Sequence, residues 1–183
     1  MERITESTTL ESLAALVSTT LERAGVDAVL SGGAVVSIYT NNEYESGDLD
    51  FISPASSDTI AAAMASLGFE GKGRMFRHPR TAFFVEFPAG PLAIDGELIR
   101  ATEVGEKRTP EGTIRLLTPT QCVMDRLAAY FHWNDLQSLD QALMVATRQT
   151  ISLAKVRAWA KREGAGEKLK TFEQRLGARK RLR

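Results

Sequence analysis

Apolar residues recur at spacings of three and four along residues 12–24, at Leu13, Leu16, Val17, Leu21 and Ala24, and Gly25 follows. That spacing predicts a helix with a glycine stop. Residues 27–30 read as a short buried strand. Ser31-Gly32-Gly33 breaks it, and residues 34–39 resume a helical pattern, so the glycines fall at a strand-to-helix junction. After a polar loop at 40–47, Asp48-Leu49-Asp50-Phe51-Ile52 alternates polar and apolar, as a half-buried strand does. Pro54 and Ser56 end it. Ser56 or Ser57 then caps a helix reaching Leu67, with Gly68 at its C-terminal end.

The pattern changes over residues 69–115. Strand-like runs at 83–87, 92–94 and 113–116 are split by Pro88, Gly90, Pro91, Gly105 and Pro110, which predicts further strands joined by long surface loops. Beyond Pro119, with Thr118 or Thr120 as cap, apolar spacings of three and four over 121–159 predict two or three helices. The fold class expected is therefore α/β (α+β), a mixed sheet flanked by helices, with a catalytic-sized core at 1–117 and a helical subdomain at 118–183.

Composition changes this picture little. Of 183 residues, 43% are hydrophobic and 25% charged, near the averages of globular chains, which excludes a disordered or fibrous protein. The one cysteine, Cys122, has no partner for an internal disulfide, and no apolar run approaches the roughly 20 residues a membrane span needs. Residues 1–10 carry Glu2 and Glu6 and lack the apolar core of a signal peptide, so a cytoplasmic address is expected and no membrane partner. Charge is more informative. The net charge is zero, yet residues 155–183 hold eleven Lys or Arg against Glu163, Glu167 and Glu173, giving +8 there and −8 elsewhere. Such asymmetry fits either a solvated basic helix or a contact with nucleic acid or an acidic partner.

Candidate chemistry centres on Asp48 and Asp50. Two apart on a strand, they point to one face and can share a divalent cation. Glu86 is the lone acid in the apolar run at 83–87, where an unpaired buried charge is costly, so it is the candidate third ligand; the alternative is the wet face of an edge strand. Gly32 and Gly33, opening a helix behind Ser31, let backbone donors approach a phosphate; a tight turn would use the same residues. Neither a Walker A loop nor a three-glycine dinucleotide fingerprint is present. Lys72, Arg74, Arg77, His78 and Arg80 form a basic cluster before Glu86, read either as an ordinary loop or as a source of charge for a phosphoryl group, with Arg77 or Arg80 the candidates. His78 and His132 are too isolated for a zinc site.

Ser31-Gly32-Gly33 followed by Asp48-Leu49-Asp50-Phe51 resembles the nucleotidyltransferase superfamily, the DNA polymerase beta-like fold, and looks closest to its AbiEii-type and MenT-type toxins. The resemblance implies Mg²⁺-dependent transfer of a nucleotide from a nucleoside triphosphate, with pyrophosphate released. It places Asp48 and Asp50 as catalytic metal ligands, Glu86 where relatives often have Asp, and Ser31, Gly32 and Gly33 at the triphosphate. Relatives often carry a basic residue shortly before the metal pair, whereas residues 41–47 here have none. The segment from Asp125 and Arg126 to His132, Asn134 and Asp135 is similar to the helical stretch that lines the family's cleft, which makes Asp125 and Arg126 nucleotide contacts; an N-cap by Asn134 and a partly buried Trp133 explain the same residues structurally. The implied acceptor is RNA, such as a tRNA end, or a protein, with a cognate antitoxin as partner and a small molecule still open. The competing expectation is a catalytically silent module that binds RNA or protein through its basic end.

Overall fold

The computed structural model describes residues 4–181, and of Lys72 only the backbone. Glu2 in the N-terminal stretch, Arg183 in the basic end and the Lys72 side chain lie outside the described residues. The chain divides into two compact units, residues 1–35 with 45–117, and residues 36–44 with 118–183.

The first unit is built on a seven-stranded mixed sheet. Its strands are β1 (Val29–Ser31), β2 (Asp48–Ile52), β3 (Glu70–Lys72), β4 (Met75–Arg77), β5 (Phe84–Glu86), β8 (Gly105–Thr109) and β9 (Gly112–Leu116), in the order β3-β4-β5-β2-β1-β9-β8. A separate hairpin joins β6 (Ala93–Ile94) to β7 (Glu97–Leu98). β2 runs parallel to β5 and antiparallel to β1, while β1 and β9 are parallel. Alternation sets the two faces: Leu30, Leu49, Phe51, Phe76 and Val85 are all at most 3% exposed, and the residues between them are not. Helices α1 (Leu10–Arg23) and α3 (Ser57–Ala65) pack on each other, capped by the side chains of Thr9 and Ser56. Thr113 and Arg115 donate their amides to the hydroxyls of Thr19 and Ser18, which ties β9 to α1 where it has left the β1 ladder.

Helix α2 (Gly32–Thr40) starts in the first unit and ends in the second. The second unit adds α4 (Pro119–Trp133), α5 (Leu136–Arg148), α6 (Leu153–Arg162) and α7 (Gly166–Arg181). A capping box between Thr118 and Gln121 opens α4, as the sequence predicts. Leu127, Leu139, Leu143, Trp159 and Phe172 are fully buried, and Phe131 stacks on Trp159 at 5.2 Å. The Gln149 side chain donates to the Tyr39 carbonyl, and Arg148 pairs with Glu43, so residues 36–44 are held by α5.

Several local expectations change. Over 121–159 the expected two or three helices are three, α4, α5 and α6, and a fourth, α7, follows beyond that range. Residues 70–77 form a β-hairpin inside the expected loop region, and β8 adds a strand the pattern did not show. Asn134 is the left-handed C-cap of α4, and the N-cap of α5 is Asp135, which accepts from the amides of Gln137 and Ser138. Trp133 is 78% exposed instead of partly buried, because it ends α4 beside that cap. Among the described residues, no helix is long and apolar enough to cross a membrane.

Candidate active site

Pairing register builds the site. In the parallel β2–β5 ladder Asp50 lies opposite Glu86 and Asp48 opposite Phe84, so all three acids occupy the face opposite Leu49, Phe51 and Val85. Each offers a carboxylate oxygen within 4.8 Å of the other two, and each is half-buried. β5 lies between β4 and β2, so Glu86 is not on an edge strand. Three carboxylates this close repel one another, which a bound cation relieves.

Gly32 and Ser31 hold this cluster from the β1 side. Ser31 pairs with Asp50 and its hydroxyl donates to the Asp50 carbonyl at 3.3 Å. A Cβ on Gly32 would stand 2.4 Å from Asp50 Oδ2, and Gly32 has φ +68°. The close approach that glycine permits here is therefore to the metal-ligand candidate itself. Gly33 continues into α2. Ser46, which sequence reasoning missed, is 7% exposed and donates from its hydroxyl to Asp48 Oδ1 at 2.7 Å. Its position two residues before Asp48 in a polar loop was the only available signal.

The basic cluster divides. Arg77 lies opposite Phe84 and its guanidinium sits 4.9 Å over that ring, on the carboxylate face of the sheet. His78 packs against Phe69 with ring centroids 5.2 Å apart, which is a structural role. Arg80 is in the exposed loop after β4, its amide donating to His78 Nδ1 at 3.2 Å. In the helical unit, Arg126 donates twice to Asp125 Oδ2, at 2.6 and 3.0 Å, and also to Gln141 at 3.4 Å. Burial pushes the Cys122 thiol far above its ordinary range, with Asp125 adding to the rise, so it is inert as a nucleophile.

No protein-family profile matches the chain, and no curated protein does. Solved structures do. The antibiotic-resistance factor ANT(2'')-Ia, in its solution structure, superposes with a TM-score of 0.56 at 12% identity, over 91% of this chain and 98% of that one. An antigenic nucleotidyltransferase-like protein from Paracoccidioides brasiliensis superposes with a TM-score of 0.51 at 14% identity, over 76% and 78% of the two chains. The mixed sheet with its flanking helices is the nucleotidyltransferase fold.

Proposed function

We propose that the protein transfers a nucleoside monophosphate from a nucleoside triphosphate to an acceptor hydroxyl, with release of pyrophosphate. The observation that carries this reading is the convergence of Asp48, Asp50 and Glu86 within 4.8 Å on one sheet face. Their all-oxygen set suits Mg²⁺. Held there, Mg²⁺ would supply polarisation of the α-phosphate and offset charge on the departing pyrophosphate. Asp48 and Asp50 hold it, and Glu86 completes the set or takes the hydroxyl proton. Ser31, Gly32 and Gly33, at the start of α2, supply backbone donors for the triphosphate. Arg77, on the same face, and Arg80 offset its charge. For Asp125 and Arg126 the family resemblance alone supports a role as nucleotide contacts.

RNA, including a tRNA end, draws support as acceptor from the +8 charge of residues 155–183, and the toxin role with an antitoxin partner from the motif resemblance. One fold neighbour is an antibiotic-resistance factor, which keeps a small molecule in view. The silent-module reading draws on Glu86 standing where relatives have Asp and on the missing basic residue before Asp48; a Glu86 carboxylate within 4.8 Å of the other two weakens the first support and leaves the second.

The test is incubation with each α-labelled nucleoside triphosphate, Mg²⁺ and, in separate reactions, total RNA, protein extract and metabolite extract, beside an Asp48→Ala, Asp50→Ala variant. Label transferred by the wild type alone is expected. Equal label from both proteins, or none from either, rejects the reading.

A further inference from the structure

Asp48, Asp50 and Ile52 alternate along β2 on one face, and Ile52 pairs with Val29 as Asp50 pairs with Ser31. Val29 and Ile52 help line a cavity of about 300 Å³ together with Pro91, Leu92, Leu98 and Ile99. Strand rise puts Ile52 about 7 Å beyond Asp50. Two charged residues also line the cavity, and both are engaged: Asp27 with Arg115, and Arg100 with Glu103. The interior is apolar.

The direction of the chain adds the decisive constraint. From Ser31, β1 leads forward into Gly32 and the start of α2, and backward to Val29. The phosphate-favouring helix N-terminus and the cavity therefore lie on opposite sides of the Asp50–Ser31 pair. Displacement at phosphorus is in line, with attacking and leaving oxygens on opposite sides. A triphosphate whose pyrophosphate end lies at Gly32 and Gly33 is then open to attack from the side of Val29 and Ile52.

We infer that this cavity holds the apolar body of a small hydroxyl-bearing acceptor, with its hydroxyl aimed at the α-phosphorus. The inference rests on the nucleotidyl-transfer reading. The acceptor oxygen forms a bond to the α-phosphorus while the bond from that phosphorus to the α–β bridging oxygen breaks. Pyrophosphate leaves with the electron pair, and the hydroxyl proton passes to Glu86 and then to solvent. The cavity lies at the small end of ligand sites, which run from about 300 to 1,000 Å³. It suits a single ring or a short branched chain, and to an RNA backbone its mostly apolar lining offers Arg100 alone.

The test uses the full chain with 2-phenylethanol and the linear alcohols from ethanol to butanol. Methyl resonances of Val29, Ile52, Leu92, Leu98 and Ile99 are expected to shift on titration with 2-phenylethanol, and others to stay in place. With Mg²⁺ and a labelled nucleoside triphosphate, kcat/KM for the alcohols should rise by up to about fourfold per methylene. Ile99→Lys should cut 2-phenylethanol binding and transfer at least tenfold. Leu98→Lys, at a position 69% exposed, gives the same readout should the first variant not fold. Scattered or absent shifts, a flat dependence on chain length, or label passing only to RNA or protein would overturn the inference. If Asp48-dependent pyrophosphate release occurs but no alcohol binds, the acceptor site alone fails. If 2-phenylethanol binds but no triphosphate is cleaved under any condition, the transfer reading fails and the inference falls with it.

Discussion

Gly32 and Ser46 show how two small residues fix the carboxylates. Gly32 has φ +68°, and an added Cβ would meet Asp50 Oδ2 at 2.4 Å, so Gly32→Ala combines a left-handed backbone cost of about 1–2 kcal/mol with displacement of Asp50. We expect the variant to fold with a lowered melting temperature and to lose at least tenfold in nucleotide transfer, read by calorimetry and single-turnover kinetics. Ser46→Ala removes the hydroxyl that orients Asp48 Oδ1 and should weaken divalent-cation affinity roughly 10- to 100-fold, measured by cation titration. Unchanged affinity would mean that Asp48 is held by its strand alone. Asp48, Asp50 and Glu86 were legible in the sequence because a two-residue alternation and a lone acid in an apolar run are local signals. Ser46 was not, since a serine in a polar loop has no spacing to mark it. Trp133 misled in the other direction: an aromatic at a helix junction was expected to be partly buried, and it projects into solvent.

Among the elements, the β2–β5 ladder matters most for the site, because its parallel register sets Glu86 opposite Asp50. Nothing local in the sequence encodes that pairing; only the alternation in each strand was readable. The hairpin at 70–77 escaped notice because β4 buries one side chain, Phe76, between the exposed Met75 and Arg77. One buried residue is too little periodicity to mark a strand. The same hairpin turns Arg77 from a loop residue into one on the carboxylate face. At the α4–α5 junction Asp135 caps α5, and hydrogen bonds from the Ser138 side chain and backbone hold its carboxyl below the ordinary carboxylate value. A lowered pKa in the folded state adds stability that is present above the ordinary value of 3.8 and is lost as pH falls below it. Asp135→Ala should cost about 1 kcal/mol at pH 7, as cap losses do, and less near pH 2. Denaturant melts at the two pH values check this; an equal loss at both would remove the charge from the account.

Over the whole molecule, the sequence reading recovered a mixed sheet followed by helices, but not how residues are shared between the two units. Helix α2 is continuous, yet its first residues belong with the sheet and residues 36–44 with the C-terminal helices. Helical spacing reports that a stripe is buried, not which body buries it. The uneven charge was fully legible, and α6 and α7 carry most of it as surface helices, with Arg157–Glu173 and Arg179–Asp140 among their ion pairs. In the sheet unit three acids on two neighbouring strands bring carboxylate oxygens within 4.8 Å of one another, and the proposed cation and triphosphate site rests on them. The most direct test is Mn²⁺ titration followed by electron paramagnetic resonance, in the presence of an α,β-methylene triphosphate analogue, for the wild type and for Asp48→Asn, Asp50→Asn. The account predicts analogue-dependent Mn²⁺ binding in the wild type that weakens at least tenfold in the variant; equal binding by both proteins would contradict it.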